Sequence, residues 1–100
     1  MSERMSNQSI DANRLLGRIR ELGAIARDSD GRLVRLAASG SEKLGRDRFV
    51  AWVKDAGLDV AVDRIGNVFG IWRPDGTGDH PPLMLGSHID TVINAGIYDG

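Results

Sequence analysis

The chain has 100 residues, 13 of them Lys or Arg and 14 Asp or Glu, for a net charge of −1. With no like-charge block, that balance gives no footing to nucleic acid or an anionic membrane as partner, and the absence of cysteine excludes a disulfide framework and any thiolate metal site. A length of one modest domain buries only a limited core.

Residues Met1–Gln8 are polar and carry no apolar signal-peptide segment. Met1–Ile10 are expected to form a disordered start, with residues 11–100 as the folded portion. No apolar run approaches bilayer-spanning length, so a cytoplasmic location is the expectation. Asp11 is placed to cap a first helix, in which Leu15, Leu16, Ile19, Leu22 and Ile25 follow helical spacing. Gly17 and Gly23 weaken that helix by about 1 kcal/mol each relative to Ala. Asp28-Ser29-Asp30-Gly31 is a turn cluster, and the short segment after it carries Arg32 and Arg35, each expected to be a solvated surface residue, with a substrate-facing position as the alternative. A second helix is expected from Ser39–Ser41, where Ser39 and Glu42 have capping-box spacing. Phe49, Trp52, Val53 and Ala56 form its apolar stripe, and Gly57 is placed to end it.

From Leu58 the period changes to two: Leu58, Val60 and Val62 alternate with Asp59, Ala61 and Asp63. Gly66-Asn67 makes a turn, and Val68–Trp72 returns as the second strand of a hairpin. Pro74–Pro82 is rich in turn formers, and His80 within it reads as a solvent histidine. The fold class is therefore α/β, two helices on a small mixed sheet whose innermost strand is the apolar run Leu83–Gly86.

That run leads into Ser87-His88-Ile89-Asp90-Thr91-Val92 and on to Gly96-Ile97-Tyr98-Asp99-Gly100. Open α/β sheets deliver chemistry from the carboxyl ends of their strands. On extended backbone His88 and Asp90 point the same way. A carboxylate there can accept the ring N–H, fix the tautomer and leave the other nitrogen free for a metal. Asp99, flanked by Gly96 and Gly100, lies where a loop can return a carboxylate to the same point. His with carboxylates suits zinc or a harder ion such as manganese. A lone His-x-Asp is nevertheless common, and most such pairs are ordinary surface or cap contacts.

The block Gly86-Ser87-His88-Ile89-Asp90-Thr91-Val92, with Asn94-Ala95-Gly96 and Tyr98-Asp99-Gly100, resembles the metal-binding signature of the hydantoinase/carbamoylase amidases. These enzymes sit within the larger group of dinuclear zinc aminopeptidases and carboxypeptidases. The resemblance extends back through Ala56-Gly57-Leu58, Val60, Asp63 and Gly66-Asn67-Val68-Phe69-Gly70 to about Leu15. Ala95 departs from it, since many members carry a second Gly there.

The resemblance implies that His88 ligates one metal, that Asp99 bridges two, and that Asp90 is the carboxylate behind His88. The implied cofactors are two divalent ions, zinc or manganese, with cobalt and nickel admissible. The implied reaction is hydrolysis of a linear C–N bond in a small ureido or carbamoyl substrate, allantoate or an N-carbamoyl-L-amino acid. Members are longer and insert a dimerisation domain, so the chain reads as the opening part of such a catalytic domain, inactive alone, from a full-length homodimer. A metallopeptidase of the same group and a non-catalytic remnant are the alternatives.

Overall fold

The structure is a computed structural model that describes residues 9–75 and 78–100. The disordered start expected over residues 1–10 lies outside the described residues except for Ser9 and Ile10, which precede the first helix.

Helix α1 runs Ala12–Gly23 and begins where the sequence signals it: the Asp11 carboxylate accepts the Arg14 N–H at 3.0 Å. Helix α2 runs Gly40–Asp55 behind Ser39, whose Oγ accepts the Glu42 N–H at 3.2 Å. The Glu42 carboxylate reaches back to the Ala38 N–H, one residue before the cap, so the reciprocal box closes slightly wide. At the other end Gly57 has φ +78°. Its N–H reaches the Lys54 carbonyl at 3.0 Å and that of Leu58 reaches Val53 at 3.1 Å. These two bonds satisfy carbonyls that the helix leaves open, and the left-handed turn they need is one glycine adopts freely.

Strands β1 (Asp59–Val62) and β2 (Val68–Ile71) form an antiparallel hairpin in the register Asp59↔Ile71 to Val62↔Val68. Its loop is organised by Asp63, whose carboxylate accepts the N–H groups of Ile65 (3.1 Å) and Asn67 (2.8 Å) and the Asn67 side-chain amide (2.7 Å). Helix α2 packs on this hairpin. Val53 and Leu58 both lie against Gly70, where an added Cβ would meet a Val53 methyl at 3.0 Å. Helix α1 is tied to α2 by Arg18, 5.6 Å over the Trp52 ring, and by a 2.7 Å Arg48–Glu21 ion pair.

The expected innermost strand does not form. Leu83–Leu85 pair with no other segment among the described residues, and Leu83 and Leu85 are 86% and 87% exposed. The sheet is accordingly two-stranded and antiparallel, not mixed. The physical reason is that an apolar run becomes a buried strand only when neighbours take up its N–H and C=O groups. Among the described residues the hairpin pairs only with itself. The core is correspondingly small: Leu33 and Val53 are the buried large apolar side chains among the described residues. The radius of gyration is 16.2 Å, against about 13 Å for a compact domain of this length.

Candidate metal centre

The site is built where the segment after Leu85 folds across the segment between the helices. Leu33 makes backbone bridges with Arg27 and with Ala95, and the Ala95 N–H donates to the Leu33 carbonyl at 3.0 Å. One turn earlier, the Thr91 N–H donates to the Arg35 carbonyl at 2.6 Å, and the Arg35 N–H returns to Thr91 Oγ1 at 2.9 Å. The loop between reverses at Asn94, whose φ is +59°. Ala95 does not need that conformation, so the Gly-to-Ala departure falls on a residue whose backbone any side chain tolerates.

These contacts set Asp90 and Asp99 around the His88 imidazole. His88 Nδ1 lies 2.7 Å from the Asp90 main-chain carbonyl oxygen and 3.4 Å from Asp90 Oδ1. His88 Nε2 faces Asp99 Oδ1 at 3.7 Å. A carbonyl oxygen only accepts, so the neutral ring carries its proton on Nδ1 and presents the Nε2 lone pair toward Asp99. Beside the Asp90 carboxylate expected to orient the ring, the carbonyl of the same residue is the nearer acceptor. A residue two positions along can turn its own main chain toward the ring more closely than its side chain.

Asp99 is held from two sides. Its Oδ2 accepts the Val92 N–H at 3.2 Å, and its own N–H donates to the Gly96 carbonyl at 3.2 Å. Gly100, at φ +87°, then passes so close to His88 that a Cβ would lie 2.6 Å from the His88 carbonyl oxygen. Ser87 Oγ donates to the Gly100 carbonyl at 3.0 Å. The glycine is thus a requirement of the close approach that brings Asp99 back to His88.

The donor set can be tested against a metal. Two donors on one tetrahedral ion lie about 3.4 Å apart, and the observed 3.7 Å separation of Nε2 and Oδ1 is within a small side-chain rotation of that. The pair fits as two donors of a site. Asp90 lies on the Nδ1 side of the ring, and no three His, Cys, Asp or Glu side chains among the described residues converge to hold an ion. His80 is exposed in the Pro-rich loop, as the sequence indicates.

Sequence reasoning missed Arg35. It is 1% exposed, not solvated. Its Nε donates to the Ile89 carbonyl at 2.9 Å, and its Nη1 donates to the carbonyls of Leu22 (2.9 Å) and Ile25 (3.1 Å) at the end of α1. Burial pushes the guanidinium down from its ordinary value, and the charge of Asp99 opposes that shift. The signal available was its setting, Leu33-Val34-Arg35-Leu36, an arginine inside an apolar run. Arg32, by contrast, is exposed and paired with Asp28 and Asp30.

The donors therefore define an imidazole–carboxylate arrangement on a loop that returns on itself. Over most of its length the chain is homologous to allantoate deiminases and N-carbamoyl-L-amino-acid amidohydrolases. It is 41% identical over 83 residues to the protein named probable allantoate deiminase in Oryza sativa subsp. japonica, covering 83% of this chain and 16% of that one. It is 36% identical over 92 residues to N-carbamoyl-L-amino acid amidohydrolase of Geobacillus stearothermophilus, covering 91% and 22%. For allantoate deiminase 1 of Glycine max the identity is 41% over 86 residues, covering 85% and 17%. The chain spans about a fifth of the length of the relatives it matches. No protein-family model matches it.

Proposed function

We propose that this chain contributes metal-binding residues to a site that hydrolyses a linear C–N bond in a ureido or carbamoyl compound. Allantoate and N-carbamoyl-L-amino acids are the substrate classes that the names of its relatives suggest. One observation carries the reading: an imidazole tied through Nδ1, with Nε2 facing Asp99, in a chain homologous to those amidohydrolases.

His88 and Asp99 would hold divalent ions, zinc or manganese in the first instance, with Asp99 touching both of a pair. When bound, such ions polarise a carbonyl and lower the pKa of a water molecule. What the chain itself does is orient the donors. The Asp90 carbonyl keeps the His88 proton on Nδ1, with the Asp90 carboxylate beside it. The Val92 N–H fixes Asp99 Oδ2, so that Oδ1 turns toward His88. A catalytic zinc takes three protein ligands, and these residues supply two, so the chain alone is expected to hydrolyse nothing. The homodimer and the cytoplasmic location expected from the sequence belong to the same proposal.

A chimera tests the reading. The matched residues of the Geobacillus amidohydrolase are replaced by those of this chain, and product release is measured on N-carbamoyl amino acids, allantoate and dipeptides. Turnover on a carbamoyl or ureido substrate is the expected result. Turnover on dipeptides alone would move the chain to the peptidases of the same metal group. A folded chimera inactive on every substrate would leave the non-catalytic reading.

A further inference from the structure

Asp90 and Thr91 share one rigid peptide plane, with the Asp90 carbonyl and the Thr91 N–H pointing in opposite directions. The N–H is bound to the Arg35 carbonyl at 2.6 Å, and the carbonyl is the acceptor for His88 Nδ1 at 2.7 Å. The preceding plane, between Ile89 and Asp90, is bound at its carbonyl by Arg35 Nε at 2.9 Å. Arg35 thus fixes the plane that carries the acceptor through its own carbonyl and the plane before it through its guanidinium. The rest of the guanidinium is anchored on the Leu22 and Ile25 carbonyls at the C-terminal end of α1, where a cation is favoured by the helix dipole. Only a planar group with several donors spans two such segments at once.

Helix α2 leaves room for this arrangement at one residue. Gly45 is buried, and a Cβ built there would lie 2.9 Å from Arg35 Cδ, 3.1 Å from Arg35 Nε and 3.0 Å from an Ile89 methyl. Gly17, on α1, has nothing within 4 Å of the same point. Gly45 therefore acts as the seat on which the Arg35 and Ile89 side chains cross the helix.

From this geometry we infer that Arg35, seated on Gly45, is the positioning residue that fixes the tautomer and direction of the His88 imidazole. The inference rests on the proposed reading of His88 and Asp99 as metal-facing groups, and it assigns Arg35 no contact with substrate or metal. It acts only through the main chain of Ile89, Asp90 and Thr91.

The test uses the whole chain with His80→Gln as background, so that His88 is the only imidazole. Arg35→Met removes the guanidinium, Arg35→Lys keeps the charge without the fork, Gly45→Ala pushes the seat without touching the charge, and Gly17→Ala is the control. For each, nitrogen-15 spectra of the ring report the tautomer, a zinc titration followed on the same ring reports affinity, and amide shifts of β1 and β2 report whether the fold persists. The expected result is a His88 ring protonated on Nδ1 in the parent and in Gly17→Ala. In Arg35→Met and Gly45→Ala the tautomers mix and zinc affinity falls about tenfold, the scale of losing an orienting partner, while the hairpin amides stay unchanged. Arg35→Lys should lie between parent and Arg35→Met. If Arg35→Met unfolds the chain, Gly45→Ala and Arg35→Lys decide. A parent-like tautomer ratio in the folded variants would overturn the inference. Zinc that leaves the parent ring undisturbed would overturn the ligand reading instead, and the tautomer comparison would still judge Arg35.

Discussion

Replacing Asp90 by Ala separates two ways in which one residue can hold a histidine. The ring nitrogen lies 2.7 Å from the Asp90 carbonyl and 3.4 Å from its carboxylate. Only the second contact is lost in Asp90→Ala, because the main chain stays. The side chains of His88 and Asp90 are 55% and 44% exposed, so water screens whatever the carboxylate adds. An exposed pair of that kind contributes about 0–1 kcal/mol, which is about a fivefold change in affinity at most. Loss of the orienting acceptor itself would cost about 10- to 100-fold. Zinc titration of the chain, followed on the His88 ring, should therefore give Asp90→Ala an affinity within about fivefold of wild type. A loss beyond about tenfold with the fold intact would mean that the carboxylate, not the carbonyl, orients the ring.

Two further outcomes follow from the scaffold. The Asp63 carboxyl is held below its ordinary value, first by the Asn67 side-chain amide and then by the Asn67, Ile65 and Gly66 main-chain N–H groups. Its ionised form is thus favoured by folding, so its support of the hairpin loop is complete above the unfolded carboxylate value and is lost as pH falls through the lower native one. Amide shifts of the β1–β2 loop recorded during acidification should show that transition, and Asp63→Ala should remove it. Gly17 and Gly57, both with open space around them, should respond oppositely to alanine: Gly17→Ala gains about 1 kcal/mol of helix stability, and Gly57→Ala, at φ +78°, loses about 1–2 kcal/mol. Thermal melts of the two variants check the signs.

What could be read in the sequence was local. Asp11, the Ser39–Glu42 pair and Gly57 act on backbone groups within a few residues, so their types and spacing were enough to place both helices. The hairpin was equally legible, because alternation in β1 and a turn rich in Asp, Gly and Asn define it without outside help. Leu83–Gly86 failed because burial is a property of partners, and a run of apolar residues says nothing about who supplies them. Arg35 failed for the converse reason. Residue type points to the surface, yet it is buried by carbonyls from α1 and from Ile89, far away in the sequence. Within the candidate site the proximity of His88, Asp90 and Asp99 was legible and the atoms that meet were not. Period-two spacing brought the Asp90 side chain beside His88, and only the folded main chain revealed the closer carbonyl.

The central claim is that Asp99 serves as a metal-holding carboxylate opposite His88, and one substitution in the chimera tests it most directly. Asp99→Asn keeps the side-chain volume and an oxygen able to accept the Val92 N–H, but it removes the charge that would hold two cations together. Metal content after dialysis, product release and circular dichroism are measured on the same preparations. The account predicts an unchanged dichroism spectrum, loss of bound metal and almost no turnover. Retention of metal with turnover close to that of the unsubstituted chimera would contradict it.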